Sequence, residues 1–222
     1  MSKINRTETE GTKDILLFRE GEKGKEVDFV LAQEPATIEE MKRLRHDVYL
    51  RCSFIDKPYP DRVIPDEADN DNAIYIAAEA VGEIIGSIRL AAPPFKVLEE
   101  LGDDIFMDAQ SIVNQAVKES AVELGSLAVK HDTGYKRISG GLYKAVYLVC
   151  NIKGIKWWFI DIDERVYDAL LRLGWKVTEI GPRHEYMGSM TVPGLMNTRE
   201  QTNNIKENNP SYFDYLKRVE LE

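Results

Sequence analysis

The sequence predicts a single α/β (α+β) domain in which a sheet is flanked by helices. The chain has 222 residues, 43% of them hydrophobic, which is enough for one domain with a sizeable core. Short alternating or apolar runs typical of strands are interleaved with segments whose apolar residues recur at helical spacing. Glycine and proline clusters separate these segments, and no internal repeat interrupts their order.

Composition divides the chain into three parts. Residues 1–26 form a polar arm with one short apolar run, which we expect to be partly disordered or to add a peripheral strand. Residues 27–197 carry the folded domain. Residues 198–222 form a polar tail that ends in a short amphipathic helix from Ser211.

The first half of the domain predicts a strand, a helix and a hairpin. The helix has a capping box, with Thr37 accepting from a free backbone N–H and Glu40 reaching back. Two strand-like runs flank the turn at Val81-Gly82 and predict a hairpin. The predicted ranges are a strand over 27–33, a helix over 37–52, and strands over 73–80 and 84–90.

The second half alternates strands and helices after Pro93-Pro94, which ends the hairpin sheet. An acidic stretch over 98–110 is predicted to be irregular or helical, and a glycine-containing loop covers 130–141. The other predicted elements are strands over 121–129, 157–162, 175–180 and 190–196 and helices over 142–152 and 164–173.

The net charge of −9 argues against general nucleic-acid binding. The charge is uneven, however, because the stretch 130–156 is strongly basic, with Asp132 as its single acid. The basic residues of this stretch are Lys130, Lys136, Arg137, Lys144, Lys153 and Lys156. Such a stretch is either a solvated face or a docking surface for an acidic partner.

Other features indicate a cytoplasmic protein without an integral membrane segment. The first 13 residues lack the apolar run of a secretory signal, and no run reaches the roughly 20 apolar residues of a membrane span. Cys52 and Cys150 are far apart, which favours reduced thiols and predicts no metal site. The three histidines are scattered, and we interpret them as structural.

Four charged residues are candidates for an ionic cluster. Arg45 lies on the apolar face of the first predicted helix, where a guanidinium needs carboxylate partners. Asp66 and Asp69, together with Glu67 and Asp71, supply them in an acidic loop, and Arg89 lies near the end of the hairpin. We expect Arg45, Asp66, Asp69 and Arg89 to hold the first helix and the loop together.

The order of elements resembles the GNAT superfamily of acetyltransferases. That resemblance implies a central mixed, mostly antiparallel sheet. It also implies a pyrophosphate-binding loop between the fourth strand and the helix that follows it. The cofactor-binding loop would include Lys136, Arg137, Gly140 and Gly141, of which Arg137 and Gly140 match the family pattern, whereas Leu142 occupies its last position and departs from it. Glycines would let the backbone approach an anion, and the helix N-terminus would bind it.

A narrower resemblance covers about residues 27–197. Short motifs follow in the order seen in acyl-homoserine-lactone synthases and FeeM-type N-acyl amino acid synthases; they are Arg45-x-x-Val48-Tyr49, Asp66-x-x-Asp69, Arg89-Leu90 and the strand Glu123 to Val129. Two positions depart from the lactone synthases, since Ile55 replaces a Trp and Ser126 replaces an Arg. The resemblance therefore favours the amino acid synthase branch or a sibling branch outside both families.

The resemblance implies acyl transfer from a pantetheine thioester to an amine. We expect Glu123 to remove the amine proton and the backbone N–H groups of Ala128 and Val129 to polarise the thioester carbonyl. Arg45, Asp66, Asp69 and Arg89 are then substrate-binding residues, with an arginine for the carboxylate of the acceptor. The acid that protonates the leaving thiolate is unassigned, because Leu170 occupies the usual Tyr position and Tyr167 lies one turn earlier.

The donor is predicted to be an acyl carrier protein or acyl coenzyme A, with no permanently bound cofactor. Carrier proteins are acidic, and Lys130, Lys144, Lys153 and Lys156 are the expected docking residues. The alternatives are an acyl-homoserine-lactone synthase, a coenzyme-A-dependent N-acetyltransferase and, less favoured, a non-catalytic protein that binds metabolites.

Overall fold

A computed structural model describes residues 13–66, 68–69 and 72–218. Over these residues, nine strands form one sheet in the order β1-β2-β3-β4-β5-β6-β9-β7, with β8 paired to β9. The strands are β1 (Ile15–Glu20), β2 (Val27–Ala32), β3 (Ile74–Ala80), β4 (Glu83–Ala91), β5 (Ala121–Val129), β6 (Trp157–Asp163), β7 (Thr178–Glu179), β8 (His184–Tyr186) and β9 (Ser189–Asn197).

Seven α-helices flank the described sheet. They are α1 (Pro35–Arg51), α2 (Lys96–Leu101), α3 (Gln110–Lys118), α4 (Ile138–Lys153), α5 (Glu164–Arg172), α6 (Thr198–Asn208) and α7 (Pro210–Lys217). Short 3-10 turns occur at Pro60–Arg62 and Gly102–Asp104. Among the described residues, none of these helices has the length and apolar character needed to cross a membrane.

The sheet is mixed and mostly antiparallel, as the resemblance to acetyltransferases implies. Within the described sheet, only β5 and β6 pair in parallel, and α4 makes the crossover between them. The hairpin of β3 and β4 turns at Val81 and Gly82, which both have positive φ, as a type I′ turn requires. This confirms the predicted hairpin.

Successive side chains of a strand point to opposite faces of the sheet, and both faces carry a hydrophobic core. On one face, α4 places Leu142, Ala145 and Val146 against the apolar side chains of β2 to β6. On the other face, Met41 and Leu44 of α1 cover β2 to β4. Neighbouring residues of β6 separate in the same way, because Trp158 belongs to the α4 side and Phe159 packs with α2 and α3.

Several local expectations are wrong. The predicted capping box of α1 does not form, because the helix begins at Pro35 with Glu34 as N-cap and no side-chain cap. Thr37 instead donates from Oγ1 to Asp14 Oδ2 at 2.6 Å. Asp14 also accepts the N–H groups of Gln33 and Glu34, so it fixes the residues that precede the helix and does not cap its first turn.

The ends of the domain are more regular than their composition suggests. Ile15–Glu20, inside the predicted polar arm, pairs with β2 as an edge strand, while residues 1–12 lie outside the described range. The polar segment after Asn197 forms α6, and the predicted C-terminal helix is present as α7. The strand expected over 175–180 is reduced to Thr178–Glu179, and α3 and β8 were not predicted.

Candidate active site

A gap opens in the sheet where β5 and β6 separate. Their parallel pairing runs from Ala121 with Trp157 to Leu124 with Ile160 and then ends. Both strands continue, β5 to Val129 and β6 to Asp163. Ser126, with φ of +57°, lies where the register between β4 and β5 shifts, so a bulge bends β5 away from its neighbour.

An apolar cavity of about 420 Å³ occupies this gap. Its walls come from the separated halves of β5 and β6, from α5 and from the start of α4. Aromatic and aliphatic side chains dominate the lining, and they include Tyr143, Trp158, Ile160, Val166, Trp175 and Met196. A cavity of this kind fits a hydrocarbon chain and offers it little hydrogen bonding.

A smaller polar cavity of about 120 Å³ adjoins the apolar cavity. Its lining is largely charged and comprises Arg45, Asp66, Arg89, Lys96, Glu100 and Glu123, among others. The two cavities share five wall residues, namely Tyr49, Leu124, Gly125, Ser126 and Asp161. The junction therefore lies at the bulge of β5, opposite the point where β6 leaves the sheet.

The four residues of the predicted ionic cluster contact one another. Arg89 Nη1 donates to Asp66 Oδ2 at 2.8 Å and to Asp69 Oδ1 at 2.6 Å. Arg45 donates from Nη1 to Asp66 Oδ2 at 3.2 Å and from Nη2 to Asp69 Oδ2 at 2.9 Å. The predicted contacts are thus confirmed, whereas the partners suggested at Glu67 and Asp71 lie outside the described residues.

Burial strengthens the ion pairs of this cluster and also makes each charge depend on its partners. Arg45 and Arg89 are 3% and 4% exposed, so each guanidinium has lost most of its water and depends on the carboxylates. Burial is the largest influence on Asp66 and opposes its ionisation, yet the charge and hydrogen bond of Arg89, the Ala68 N–H and the Arg45 charge together hold the pKa of that carboxyl below its usual range. Arg89 uses Nη1 for both bonds, and its Nη2 lies beside Gly125 on the wall of the polar cavity.

The positions that depart from the lactone synthases have structural roles here. Ser126 Oγ accepts from Arg45 Nη1 at 2.8 Å, so a hydroxyl on the bulge helps to fix the cluster. Ile55 is buried in the core, while its neighbour Phe54 lines the apolar cavity and packs edge-on against Tyr49. The loop after α1 therefore contributes an aromatic wall at Phe54.

Glu123 lines the polar cavity and is 8% exposed. Its Oε2 accepts the backbone N–H of Val97 at 3.1 Å, at the start of α2. Burial raises the pKa of Glu123, and this effect exceeds the opposing influence of the Val97 N–H and the Arg89 charge. The side chain is neither a solvent-facing strand carboxylate nor bonded to Arg89. Its role as a base stays a prediction.

The two predicted backbone donors differ in geometry. The N–H of Lys130 donates to Ile85 O at 2.9 Å, and Ala128 pairs with Ser87 and Val129 with Gly86. Since bonds alternate along an antiparallel ladder, the Ala128 N–H is directed at β4 and the Val129 N–H at the β6 side. The ladder thus leaves Val129, and not Ala128, as the candidate donor to a thioester carbonyl.

The predicted pyrophosphate loop precedes α4, and close packing against the sheet explains one of its glycines. Arg137 is the N-cap of α4, with φ of +61°, and Lys136 and Arg137 are exposed beside it. A Cβ on Gly141 would clash with the ring of Phe29, so this glycine lets α4 approach β2, and its expected role at an anion stays a prediction. A Cβ on Gly140 would meet only Tyr215 Oη, at 3.8 Å.

The predicted docking lysines do not form one surface. Lys144 is 4% exposed, donates to Glu20 Oε1 at 2.7 Å and lies over the rings of Phe18 and Tyr215, so its predicted docking role is wrong. Lys153 and Lys156 are exposed at the far end of α4, about 24 Å from Arg137 at 1.5 Å per helical residue.

Lys130 is the remaining predicted docking residue, and it forms an ion pair with Glu83. It follows β5 and lines a cavity together with Arg137 near the start of α4. The local excess of basic residues in the sequence is therefore divided between two ends of the domain.

Two candidate acids for the leaving thiolate can be compared. Tyr167 donates to Glu179 Oε1 at 2.9 Å and is absent from the lining of the apolar cavity, so its geometry does not suit the task. Tyr49 lines both cavities, and burial raises the pKa of its phenol. Leu170 contributes only an apolar wall.

Sequence reasoning missed a group of polar residues around Asp161 of β6. His184 Nε2 lies 3.3 Å from Asp161 Oδ2, although this histidine was interpreted as structural. Lys96 Nζ donates to Tyr186 Oη at 2.6 Å across the polar cavity. Asp161 begins the Asp-Ile-Asp end of a strand that is otherwise apolar. A carboxylate in such a strand was the signal in the sequence that could have identified it.

One set of potential metal ligands occurs among the described residues. Glu100, Asp161 and His184 place ligand atoms within 4.8 Å of one another. Glu100 is exposed, however, and Lys96 Nζ lies 3.6 Å from its Oε1, so a positive charge already occupies that side of the group. We assign these residues no metal-binding role.

A family model described as N-acyl amino acid synthase FeeM matches residues 40–196 of the chain. This range contains the ionic cluster, Glu123, both cavities and the loop before α4. No curated protein matches the chain significantly.

Solved structures share the fold at low sequence identity. TofI, in a ternary complex with an inhibitor and MTA, has a TM-score of 0.63 and 17% identity, covering 83% of this chain and 98% of its own. BjaI, a CoA-dependent acyl-homoserine lactone synthase with SAM and isopentyl-CoA, has a TM-score of 0.61 and 18% identity, covering 82% and 80%. FeeM, an N-acyl amino acid synthase from uncultured soil microbes, has a TM-score of 0.59 and 13% identity, covering 82% and 98%.

Proposed function

The chain belongs to the FeeM family of N-acyl amino acid synthases, and from that premise we propose that it moves a long acyl chain from acyl carrier protein to the amine of an amino acid or similar acceptor. It is an N-acyltransferase; the donor, the acyl length and the acceptor are the proposed parts. The co-substrate is a phosphopantetheine thioester. No permanently bound cofactor is part of the proposal.

The observation that carries this proposal is the meeting of an apolar and a charged cavity at the β5 bulge. The apolar cavity has the volume and lining for an acyl chain, whereas the polar cavity has the charges for an amino acid. Their shared wall at Gly125 and Ser126 is where a thioester carbonyl would meet an amine. Holding both reactants there supplies the proximity that an uncatalysed encounter lacks.

The size of the apolar cavity favours a long acyl group over acetyl. A cavity of about 420 Å³ far exceeds the volume of an acetyl group, which would leave most of the wall without contacts. Trp158, Trp175 and Met196 would instead bury the methylenes of a longer chain. Each buried methylene contributes about 0.8 kcal/mol, so several of them secure the donor.

In the proposed mechanism, Arg89 holds the carboxylate of the acceptor through Nη2, which lies beside Gly125. Arg45, Asp66 and Asp69 fix that guanidinium in place. Glu123 removes a proton from the amine, since burial raises its pKa toward the working range of a base. The Val129 N–H stays a predicted donor to the thioester carbonyl, although Val129 lines neither cavity and follows Ser126 by about 10 Å of extended strand.

The donor proposal rests on the exposed basic residues near the start of α4. Lys136 and Arg137 lie there, close to the apolar cavity that Ser139 lines. An acidic carrier protein could dock on these side chains while its pantetheine arm enters between β5 and β6. Coenzyme A carries anionic phosphates too, so the two donors have to be separated by experiment.

The direct test incubates the purified chain with acyl carrier proteins and acyl coenzyme A carrying acyl groups of 2 to 16 carbons, each with a panel of amino acids. We expect an N-acyl amino acid, detected by mass spectrometry, with the highest kcat/KM for a long acyl group on carrier protein. Preference for acetyl groups would overturn the acyl-length proposal. An acyl-homoserine lactone formed from S-adenosylmethionine would move the chain to the lactone branch, and no product from any pair would reject catalysis.

Charge reversal tests the docking surface. Lys136→Glu with Arg137→Glu should raise the KM for acyl carrier protein about tenfold or more and weaken its salt dependence. Lys153→Glu, at the far end of α4, is the matched control and should leave that KM unchanged. Equal effects of the two variants, or no effect of either, would contradict docking at the start of α4.

A further inference from the structure

Asp161 stands at the junction of the two cavities without a well-aligned hydrogen bond. It belongs to β6 one residue beyond the end of the β5–β6 pairing, and it lines both the apolar and the polar cavity. Its side chain is 10% exposed, and neither Oδ1 nor Oδ2 has a well-aligned hydrogen bond among the described residues, although Thr191 and His184 lie close enough to oppose the rise in its pKa. A buried carboxylate in this condition costs free energy unless a ligand or a proton satisfies it.

The groups around Asp161 come from three other elements. His184 of β8 places Nε2 3.3 Å from Oδ2, without hydrogen-bond alignment, and the same Nε2 lies 3.4 Å from Thr191 Oγ1 of β9. Lys96 of α2 contributes a positive charge from across the polar cavity. Burial raises the pKa of Asp161 in spite of these neighbours.

The proposed reaction has a proton requirement that Glu123 alone does not meet. In water the acceptor amine is mainly protonated as an ammonium group. Its nitrogen carries one hydrogen in the amide product, so the reaction removes two protons from it. The departing sulfur needs one proton to become a thiol. Glu123 lines only the polar cavity, whereas the thioester sulfur belongs to the donor in the apolar cavity.

We propose that Asp161 carries a proton from the ammonium group of the acceptor to the thiolate that leaves the donor. This inference rests on the proposed N-acyltransferase function and supplies the acid that the missing Tyr at Leu170 leaves unassigned. Asp161 is suited to both contacts because it is the one carboxylate shared by the described walls of the two cavities.

The proton and electron balance is as follows. The ammonium group transfers one proton to the Asp161 carboxylate, and the lone pair of the neutral amine forms the N–C bond while the carbonyl electrons move to oxygen. The tetrahedral intermediate then collapses, its nitrogen passes a second proton to Glu123, and the C–S bond breaks with its electron pair on sulfur. Asp161 returns its proton to the thiolate, and Glu123 releases its own to water.

Tyr49 is the rival at the same junction. It lines both cavities, and its phenol could protonate a thiolate. Burial raises its pKa, however, which keeps the phenol neutral, and a neutral phenol does not accept a proton from an ammonium group. Asp161 performs both transfers with one group.

The test uses Asp161→Asn, which keeps the shape and removes the titratable proton. With an alkyl thioester donor near neutral pH, we expect kcat to fall about 10²- to 10⁴-fold. With an aryl thioester of the same acyl group, assayed above the pKa of the acceptor amine, the defect should shrink to about threefold. The aryl thiolate leaves without a proton and the amine arrives neutral, so neither transfer is required.

An equal loss with both donors and at both pH values would show that Asp161 acts only through the structure, and would overturn the proposal. Retention of full activity by Asp161→Asn with the alkyl donor would overturn it too. Tyr49→Phe should not show the donor-dependent rescue, and rescue in that variant instead would assign the acid to Tyr49. Asp168→Asn, an exposed position on α5, is the matched control.

Failure of the proposed function has a separate signature. It would appear as absence of acyl transfer by the unaltered chain with every donor, before any variant is compared. Thermal melting of Asp161→Asn and Asp168→Asn establishes that both variants are folded at the assay temperature. A folded, active wild type together with the rescue pattern therefore supports the role of Asp161 specifically.

Discussion

The apolar and polar cavities share part of β5 as a wall, but different forces hold the rest of their walls in place. Alternation along β5 places Leu124 with the α4 core, while Glu123 reaches α2 on the other face. The apolar walls are side chains that hydrophobic burial would collect in any case. The polar walls are ion pairs between segments distant in sequence, and Arg45 alone joins α1 to the loop before β3 and to β5. Substitutions in the walls of the two cavities should therefore affect different properties of the protein.

The largest expected effect is at Glu123. Glu123→Gln should lower kcat about 10²- to 10⁴-fold with little change in the KM for the acyl donor, because the amide cannot take a proton from the amine. Steady-state kinetics with both substrates checks this. The defect should persist with aryl thioesters, unlike that of Asp161→Asn. Glu99→Gln, exposed on α2, is the control, and an equal loss there would argue against a specific role for Glu123.

Removal of Arg45 should damage stability as well as activity. Arg45→Ala leaves Asp66 and Asp69 buried with one guanidinium between them, and we expect a loss of about 3–5 kcal/mol in the free energy of unfolding. Urea denaturation measures it. Arg43→Ala removes an exposed pair with Glu39 on the same helix and should cost no more than about 1 kcal/mol. Similar losses in both variants would mean that the buried cluster contributes no more to the free energy of unfolding than an exposed ion pair does.

Filling the apolar cavity should change the choice of donor but not of acceptor. Ala169 of α5 lines this cavity, and Ala169→Trp should lower kcat/KM for long acyl donors about 10- to 100-fold while short donors are spared. The KM for the acceptor should be unchanged because the polar cavity has other walls. Leu171→Trp, on the exposed side of α5, is the control. Equal losses for long and short donors would contradict an acyl site.

The smallest expected effects are opposite pH dependences of stability. The pKa of Glu123 is raised above its ordinary value of 4.5, chiefly by burial, so ionisation favours the unfolded chain as pH rises through 4.5. Glu123→Gln removes this penalty, and its unfolding free energy should rise relative to wild type between pH 4.5 and neutrality. A constant difference over that range would contradict the raised pKa.

Asp66 should behave in the opposite sense. Burial works against its ionisation, but Arg89 lowers its pKa below the ordinary value of 3.8, so its stabilising contribution is present above pH 3.8 and lost as pH falls through the lowered pKa. The destabilisation of Asp66→Asn should therefore be full at neutral pH and shrink in acid. Chemical denaturation at several pH values measures both variants, and a difference that grows in acid would contradict this sign.

The sequence alone identified the charged residues because they break an apolar pattern. Arg45 on a core-facing helix stripe and Glu123 in an apolar strand both needed partners, and both are buried in contact with other elements. The capping box failed because α1 begins two residues before Thr37, and the Thr37 hydroxyl donates to the distant Asp14 instead. Local spacing carries no information about such a distant competitor.

The sequence by itself determined the order of elements apart from α3, β8 and α6, the two-faced sheet and the contacts of the ionic cluster, since periodicity and the cost of a buried charge act within short segments or through strong pairing. The tertiary structure alone decided which charges are available to a ligand. It buried Lys144 against Glu20, separated Lys153 from Arg137 along α4, and placed Asp161 where two cavities meet. Charge is a property of composition, whereas exposure and neighbours depend on how strands diverge and helices pack.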